Sequence, residues 1–148
     1  FVRFQQFPGD DPARQPTDPL KSLPMWPFTR ADLDKIDLKL QFWRAEPDTP
    51  YVARLFLGGL EAVEALGVVR EDDFRLATIG TVAAYRGQGL ASMVVGMLIG
   101  AARAQRCATF TIEDVSPRNP AANRLYQRFG AVALPPQANG HSDYQIRF

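Results

Sequence analysis

The sequence predicts a sheet protein of the α/β (α+β) class, with helices laid against a central sheet. Three observations carry that prediction. The second half of the chain runs strand, helix, strand, helix, strand, and each segment has its own hydrophobic period and stop signal. The first half holds strand-like runs broken by proline and glycine turns. Of the 148 residues, 46% are hydrophobic, which is one domain's worth of chain with enough apolar side chains for a core.

Charge narrows the function classes. Lys plus Arg number 17 and Asp plus Glu 16, a net charge of +1. That balance gives no support to a nucleic-acid or membrane-surface role resting on bulk electrostatics. The single Cys107 can form no internal disulfide, which fits a reducing compartment, so a cytoplasmic location is expected. The longest apolar run, Leu90 to Ala102, falls short of the ~20 residues that span a bilayer. No basic-then-apolar signal opens the chain. It does not begin with Met, so natural residues can precede Phe1. The expectation is a single domain over residues 1–148.

Along the chain, FVRFQQF reads as a strand closed by a PGD turn. Residues 8–28 are rich in proline and predict irregular, wrapping chain that shapes one side of the domain or links to a missing part. Thr29 then suits a helix N-cap, with Leu33, Ile36, Leu40 and Trp43 at helical spacing, so a helix is predicted to end near Ala45. In YVARLFLGGLEAVEALGVV, Gly58-Gly59 can close a hairpin between two strands, the reading preferred here. Leu60, Val63 and Leu66 before Gly67 would also suit a short capped helix. FRLATIGTV is a strand rich in β-branched residues. Leu90 to Arg106 predicts a helix apolar nearly all round, hence buried, with Gly96 and Gly100 thinning one face. CATFTIEDV predicts a strand and PAANRLYQRF a helix, with Asn119 as N-cap, Pro120 in its first turn and Gly130 as its stop. AVAL and DYQIRF close the pattern as strands around a PPQANGHS loop.

The stretch YRGQGLA joins a strand to the buried helix. The first N–H groups of a helix have no intrahelical partner, and the helix dipole adds partial positive charge there. Glycine lets a ligand approach the backbone without a Cβ in the way. Arg86 adds a cation whose fork suits phosphate oxygens. The combination predicts an anion site, best suited to a pyrophosphate. A plain strand-to-helix turn with an exposed arginine would have the same composition. Further on, Ala122, Leu125 and Phe129 make a buried stripe with Tyr126 beside it, where its phenol can turn toward an adjacent cleft. A phenol with a pKa of roughly 10 stays protonated at neutral pH and can donate to a departing thiolate of roughly 8.5. The same position also serves a tyrosine that only packs its ring.

Together these segments resemble the GNAT superfamily of N-acetyltransferases. Its pyrophosphate signature, Arg/Gln-x-x-Gly-x-Gly/Ala, is matched by Arg86, Gly89 and Ala91. Its later signature, Asn-x-x-Ala-x-x-x-Tyr-x-x-x-Gly, is matched by Asn119, Ala122, Tyr126 and Gly130. The resemblance covers about residues 73–134, and it departs from the family where Thr81-Val82-Ala83 replaces the frequent Val-x-Pro. It implies a central mixed, mostly antiparallel sheet flanked by helices, with acetyl-CoA in a cleft where two strands splay apart. Amides of Gln88, Gly89, Leu90 and Ala91, with Arg86 and Gly87, would hold the pyrophosphate. Ile79, Gly80, Thr81 and Val82 would hydrogen-bond the pantetheine arm and polarise the thioester. Asn119 would contact the coenzyme A arm, and Tyr126 would protonate the sulfur after direct attack by a primary amine. No metal is implied. A homodimer is compatible with the resemblance.

The attacking amine must be neutral, so a base or water chain should relieve it of a proton. Glu113, late in CATFTIEDV, is the first candidate for that base, or for an anchor to a cationic acceptor, unless a bulge turns it to solvent. Glu64 is the second, if residues 60–69 form a strand. His141 reads as a loop histidine and Cys107 as a buried strand residue. The acceptor is expected to be a small-molecule amine first and a peptide N-terminus or lysine second. Two rivals stand beside this reading. A Rossmann unit would use Glu113-Asp114 as its ribose acid, but it has Ser92 in place of the third glycine and leaves the Asn119–Gly130 pattern unexplained. A GNAT fold that binds acyl-CoA without catalysis is the other.

Overall fold

A computed structural model of the protein describes residues 3–6, 35–42 and 48–148. Within them the chain forms an eight-stranded mixed sheet in the order β1-β2-β3-β4-β5-β6-β8-β7. β1 (Arg3–Gln6) lies parallel to β2 (Ile36–Phe42) at one edge. β2, β3 (Asp48–Leu57), β4 (Leu60–Arg70) and β5 (Asp73–Thr81) form an antiparallel meander. After α1 (Leu90–Ala104), β6 (Thr109–Val115) returns parallel to β5. α2 (Pro120–Arg128) then leads to β7 (Val132–Ala133) and β8 (Ser142–Arg147), both antiparallel additions beyond β6.

The meander confirms the hairpin reading of Gly58-Gly59: Leu57 and Leu60 face each other across the turn. The helix predicted over Thr29 to Ala45 is corrected for its middle. Residues 29–34 and 43–45 lie outside the described residues, but Ile36–Phe42 is a strand. Ile36 and Leu40 are four apart, a spacing shared by one helical turn and two strand repeats. Leu38 breaks the tie. It is buried with Ile36 and Leu40, in phase with a strand and out of phase with a helix. The proline-rich residues 8–28 also lie outside the described residues.

One sheet face carries the core. Leu38, Leu55, Ala65, Phe74, Phe110 and Ile146 are buried on it, and α1 packs across β3, β4, β5 and β6. Tyr51 stacks on Phe74 at 4.5 Å, and Phe74 on Phe110 at 5.7 Å, tying β3, β5 and β6 together. Met93 through Ile99 are buried without interruption, as an apolar helix surface requires.

Candidate active site

The sheet forks between β5 and β6. Their parallel ladder has four pairs, from Asp73 opposite Thr109 to Leu76 opposite Ile112. Both strands bulge just past the last pair. On β5, Leu66 of β4 faces Thr78 and Gly67 faces Leu76, leaving Ala77 as the extra residue. On β6, Glu113 and Asp114 together oppose Asp143, and Asp114 takes a left-handed φ of 59°. Beyond the fork, residues 78–81 of β5 pair only with β4 among the described residues, so their other backbone edge is available to a ligand.

The chain leaves this edge through a single 3-10 turn, Ala83–Tyr85, and reaches α1 through Arg86-Gly87-Gln88-Gly89. Gly87 (φ 77°) and Gly89 (φ 80°) are left-handed, which a side chain would resist, and Gly89 is the N-cap. No side chain caps α1 and its first turn carries no acidic residue. Among the described residues, nothing lies within 4 Å of a Cβ added at Gly80 or Gly87. Backbone donors meet here with no carboxylate in the first turn of α1, which fits a pyrophosphate. Arg86 is exposed beside these donors, its Nε donating to the Thr81 carbonyl at 3.2 Å.

The predicted strand residues alternate around the same edge. Ile79 and Thr81 sit opposite Ala65 and Val63, on the core side, whereas Gly80 sits opposite Glu64 on the other face. Val82 is exposed and its N–H donates to the Ala62 carbonyl at 2.8 Å. Leu90 is buried, Ala91 is half-buried, and Gln88 is exposed.

On α2, the Asn119 side chain accepts from the Ala122 N–H at 3.1 Å, an N-cap as its position required. Tyr126 is buried, with its ring 5.8 Å from that of Tyr144. Burial pushes its phenol above the usual tyrosine value. Asn123, which the sequence reading passed over, joins these parts: it accepts from the Tyr144 hydroxyl and donates to the carbonyls of Asn119 and Ser116.

The acid and base candidates are placed as follows. Glu113 stands at the fork with its carboxylate accepting from Arg75 Nε at 2.9 Å. Glu64 is on a strand, as its candidacy required, and pairs with Arg54 at 3.0 Å. His141 contacts Asp114 at 2.8 Å on the β8 loop, and hydrogen bonds from Asn139 and His141 hold that exposed carboxyl below the aspartate range. Cys107 is buried, which pushes its thiol up. Arg75 itself was missed. The only sequence signal for it is a cation inside an otherwise uncharged strand, FRLATIGTV.

The model of the acetyltransferase (GNAT) family matches residues 17–131. Among solved structures, the chain is similar to the ribosomal-protein-S18-alanine N-acetyltransferase of Escherichia coli. The identity is 24% and the TM-score 0.58, over 70% of this chain and 71% of that one. It is also similar to a GNAT-family acetyltransferase of Streptococcus pneumoniae (21% identity, TM-score 0.59, 70% and 68% covered). A third likeness is to a Bacillus subtilis acetyltransferase in complex with CoA (12% identity, TM-score 0.59, 75% and 99% covered). At these identities the likeness is one of fold. Among curated proteins, none matches the chain in sequence.

Proposed function

The chain belongs to the acetyltransferase (GNAT) family, and from that premise we propose that it transfers an acetyl group from acetyl-CoA to a primary amine. The observation that carries the reading is one continuous path: the edge of β5 beyond Leu76, which no described strand pairs on the β6 side, runs into the glycine-lined mouth of α1. Acetyl-CoA supplies the activated thioester. In this reading Ile79 to Val82 bind its pantetheine arm as a missing strand would, and the amides of Gln88 to Ala91, with Arg86 and Gly87, take the pyrophosphate. Asn119 lies at the start of α2, where its amide can serve both the cap and the coenzyme A arm.

Tyr126 is the proposed acid. Burial keeps its phenol protonated, so it can give a proton to the departing sulfur and cannot serve as a base near neutrality. Glu113 accepts from the Arg75 guanidinium and keeps part of its carboxylate exposed, and anchoring a cationic acceptor is the role proposed for it. Glu64 stands beside Gly80, on the same face of the sheet. A small-molecule amine is the first acceptor class. A peptide N-terminus is the second, in line with the name of the S18-alanine N-acetyltransferase whose fold this chain shares. A cytoplasmic location goes with either.

Calorimetric titration tests the reading, with acetyl-CoA run beside NAD and S-adenosylmethionine. Acetyl-CoA alone should bind, and Arg86→Ala should weaken it about tenfold, the share of one charge-assisted contact to phosphate. Binding to NAD alone would transfer the site to nucleotide chemistry. Acetyl-CoA binding with no transfer to any member of an amine library would leave an acyl-CoA-binding module.

A further inference from the structure

We infer that Arg75 and Tyr51 form a two-sided clamp that positions β5 at the fork and so sets the shape of the acetyl-CoA cleft. The inference rests on the acetyltransferase reading above. Four ladder pairs are a short seam for two strands that must part without peeling further. Arg75 lies one residue before the last pair, and its side chain crosses the seam on the face opposite the core. Nε donates to Glu113 of β6 at 2.9 Å, Nη1 to Asp73 at 2.8 Å, and Nη2 to Asp143 of β8 at 3.4 Å. Asp73 in turn accepts from the hydroxyls of Thr109 and Thr111, both at 2.8 Å. One guanidinium therefore joins β5, β6 and β8, and its partner on β6 is in the bulge where β6 turns away. A planar fork can hold three carboxylates in fixed directions, as an ammonium cannot.

The second hold comes through the core. Tyr51 of β3 reaches across β4 and donates its hydroxyl to the Arg75 carbonyl at 2.8 Å. It can do so only because β4 has Gly67 at the crossing, where any Cβ would collide with the Tyr51 ring and with that same carbonyl oxygen. Burial, then the charges of Glu113 and Asp73, push the Tyr51 phenol up and keep it a donor. Arg75 is thus held by its main chain from one face and by its side chain from the other, two residues before the extra Ala77. None of these groups needs to touch acetyl-CoA. They act on where residues 77–81 stand relative to β6.

Two variants test the clamp. Arg75→Lys keeps the charge and loses the fork; Tyr51→Phe keeps the stacked ring and loses the hydroxyl, and serves alone if the lysine variant does not fold. Amide hydrogen exchange and calorimetric acetyl-CoA binding are read on each. The expected result is exchange about tenfold faster across 77–81 and 113–115, unchanged exchange in β2 and α1, and a Kd raised about tenfold. Wild-type exchange at the fork, or wild-type affinity despite a loosened fork, would overturn the clamp. So would faster exchange through the whole chain, which marks a merely structural role. If the wild-type protein itself fails to bind acetyl-CoA, the acetyltransferase reading fails and takes the clamp's purpose with it. Binding by wild type and both variants alike sinks the clamp alone.

Discussion

Tyr126 lies near the C-terminal end of α2, packed on Tyr144, and no described residue hydrogen-bonds its hydroxyl. A phenol held neutral by burial has one useful direction for proton transfer, outward. Tyr126→Phe is expected to lower turnover by roughly 10²-fold, a typical share for a general acid, while leaving acetyl-CoA affinity within about twofold. Because burial raises the pKa, the acid form persists as pH rises through the ordinary tyrosine range, so any alkaline limb of kcat set by this group should lie above about 10. A wild-type rate in the variant, measured with any accepted amine, would remove the role. The helix that carries Tyr126 was legible because it announces itself locally, but the burial was not: Tyr126 is its buried residue, and Ala122, Leu125 and Phe129, expected as the buried stripe, are half-buried. Arg75 was not legible either: its partners Glu113 and Asp143 lie 38 and 68 residues further along, and only the folded sheet brings them to its side chain.

The elements were legible where they carried their own punctuation. Asn119, Pro120 and Gly130 bracket α2 by capping chemistry, and the left-handed glycines mark the entrance to α1. β2 lacked such signals, and the four-residue spacing of Ile36 and Leu40 fits either period. The fork was implied by the family resemblance alone, and the strand runs themselves hid it for a different reason. Two bulges, at Ala77 and at Glu113-Asp114, end the shared ladder, and bulges come from pairing between distant strands rather than from the run itself. At this scale the cap on α2 can be separated from any ligand contact. Asn119→Ala should cost about 1 kcal/mol in urea unfolding, and Asn119→Asp, which keeps the capping oxygen, should restore most of it. If acetyl-CoA affinity falls in both variants, the amide has a second use beyond the cap. If it tracks stability, capping is its whole contribution.

For the molecule as a whole, the sheet is continuous in space but not in how it is made. β2 to β5 pair in sequence order, each strand with the one before it, so their ladders close over few intervening residues. The seam between β5 and β6 joins strands with all of α1 between them and has only four pairs to repay that closure. Loop-closure entropy falls hardest on contacts of this kind. In pulse-labelled refolding, amides of β3 and β4 should therefore gain protection before those at 109–112; simultaneous protection would show a seam nucleated as early as the meander. The four-pair ladder gives the cleft a place in time as well as in space. By this reckoning the groove is assembled after the meander beside it and, on a fully folded molecule, comes open before that meander does.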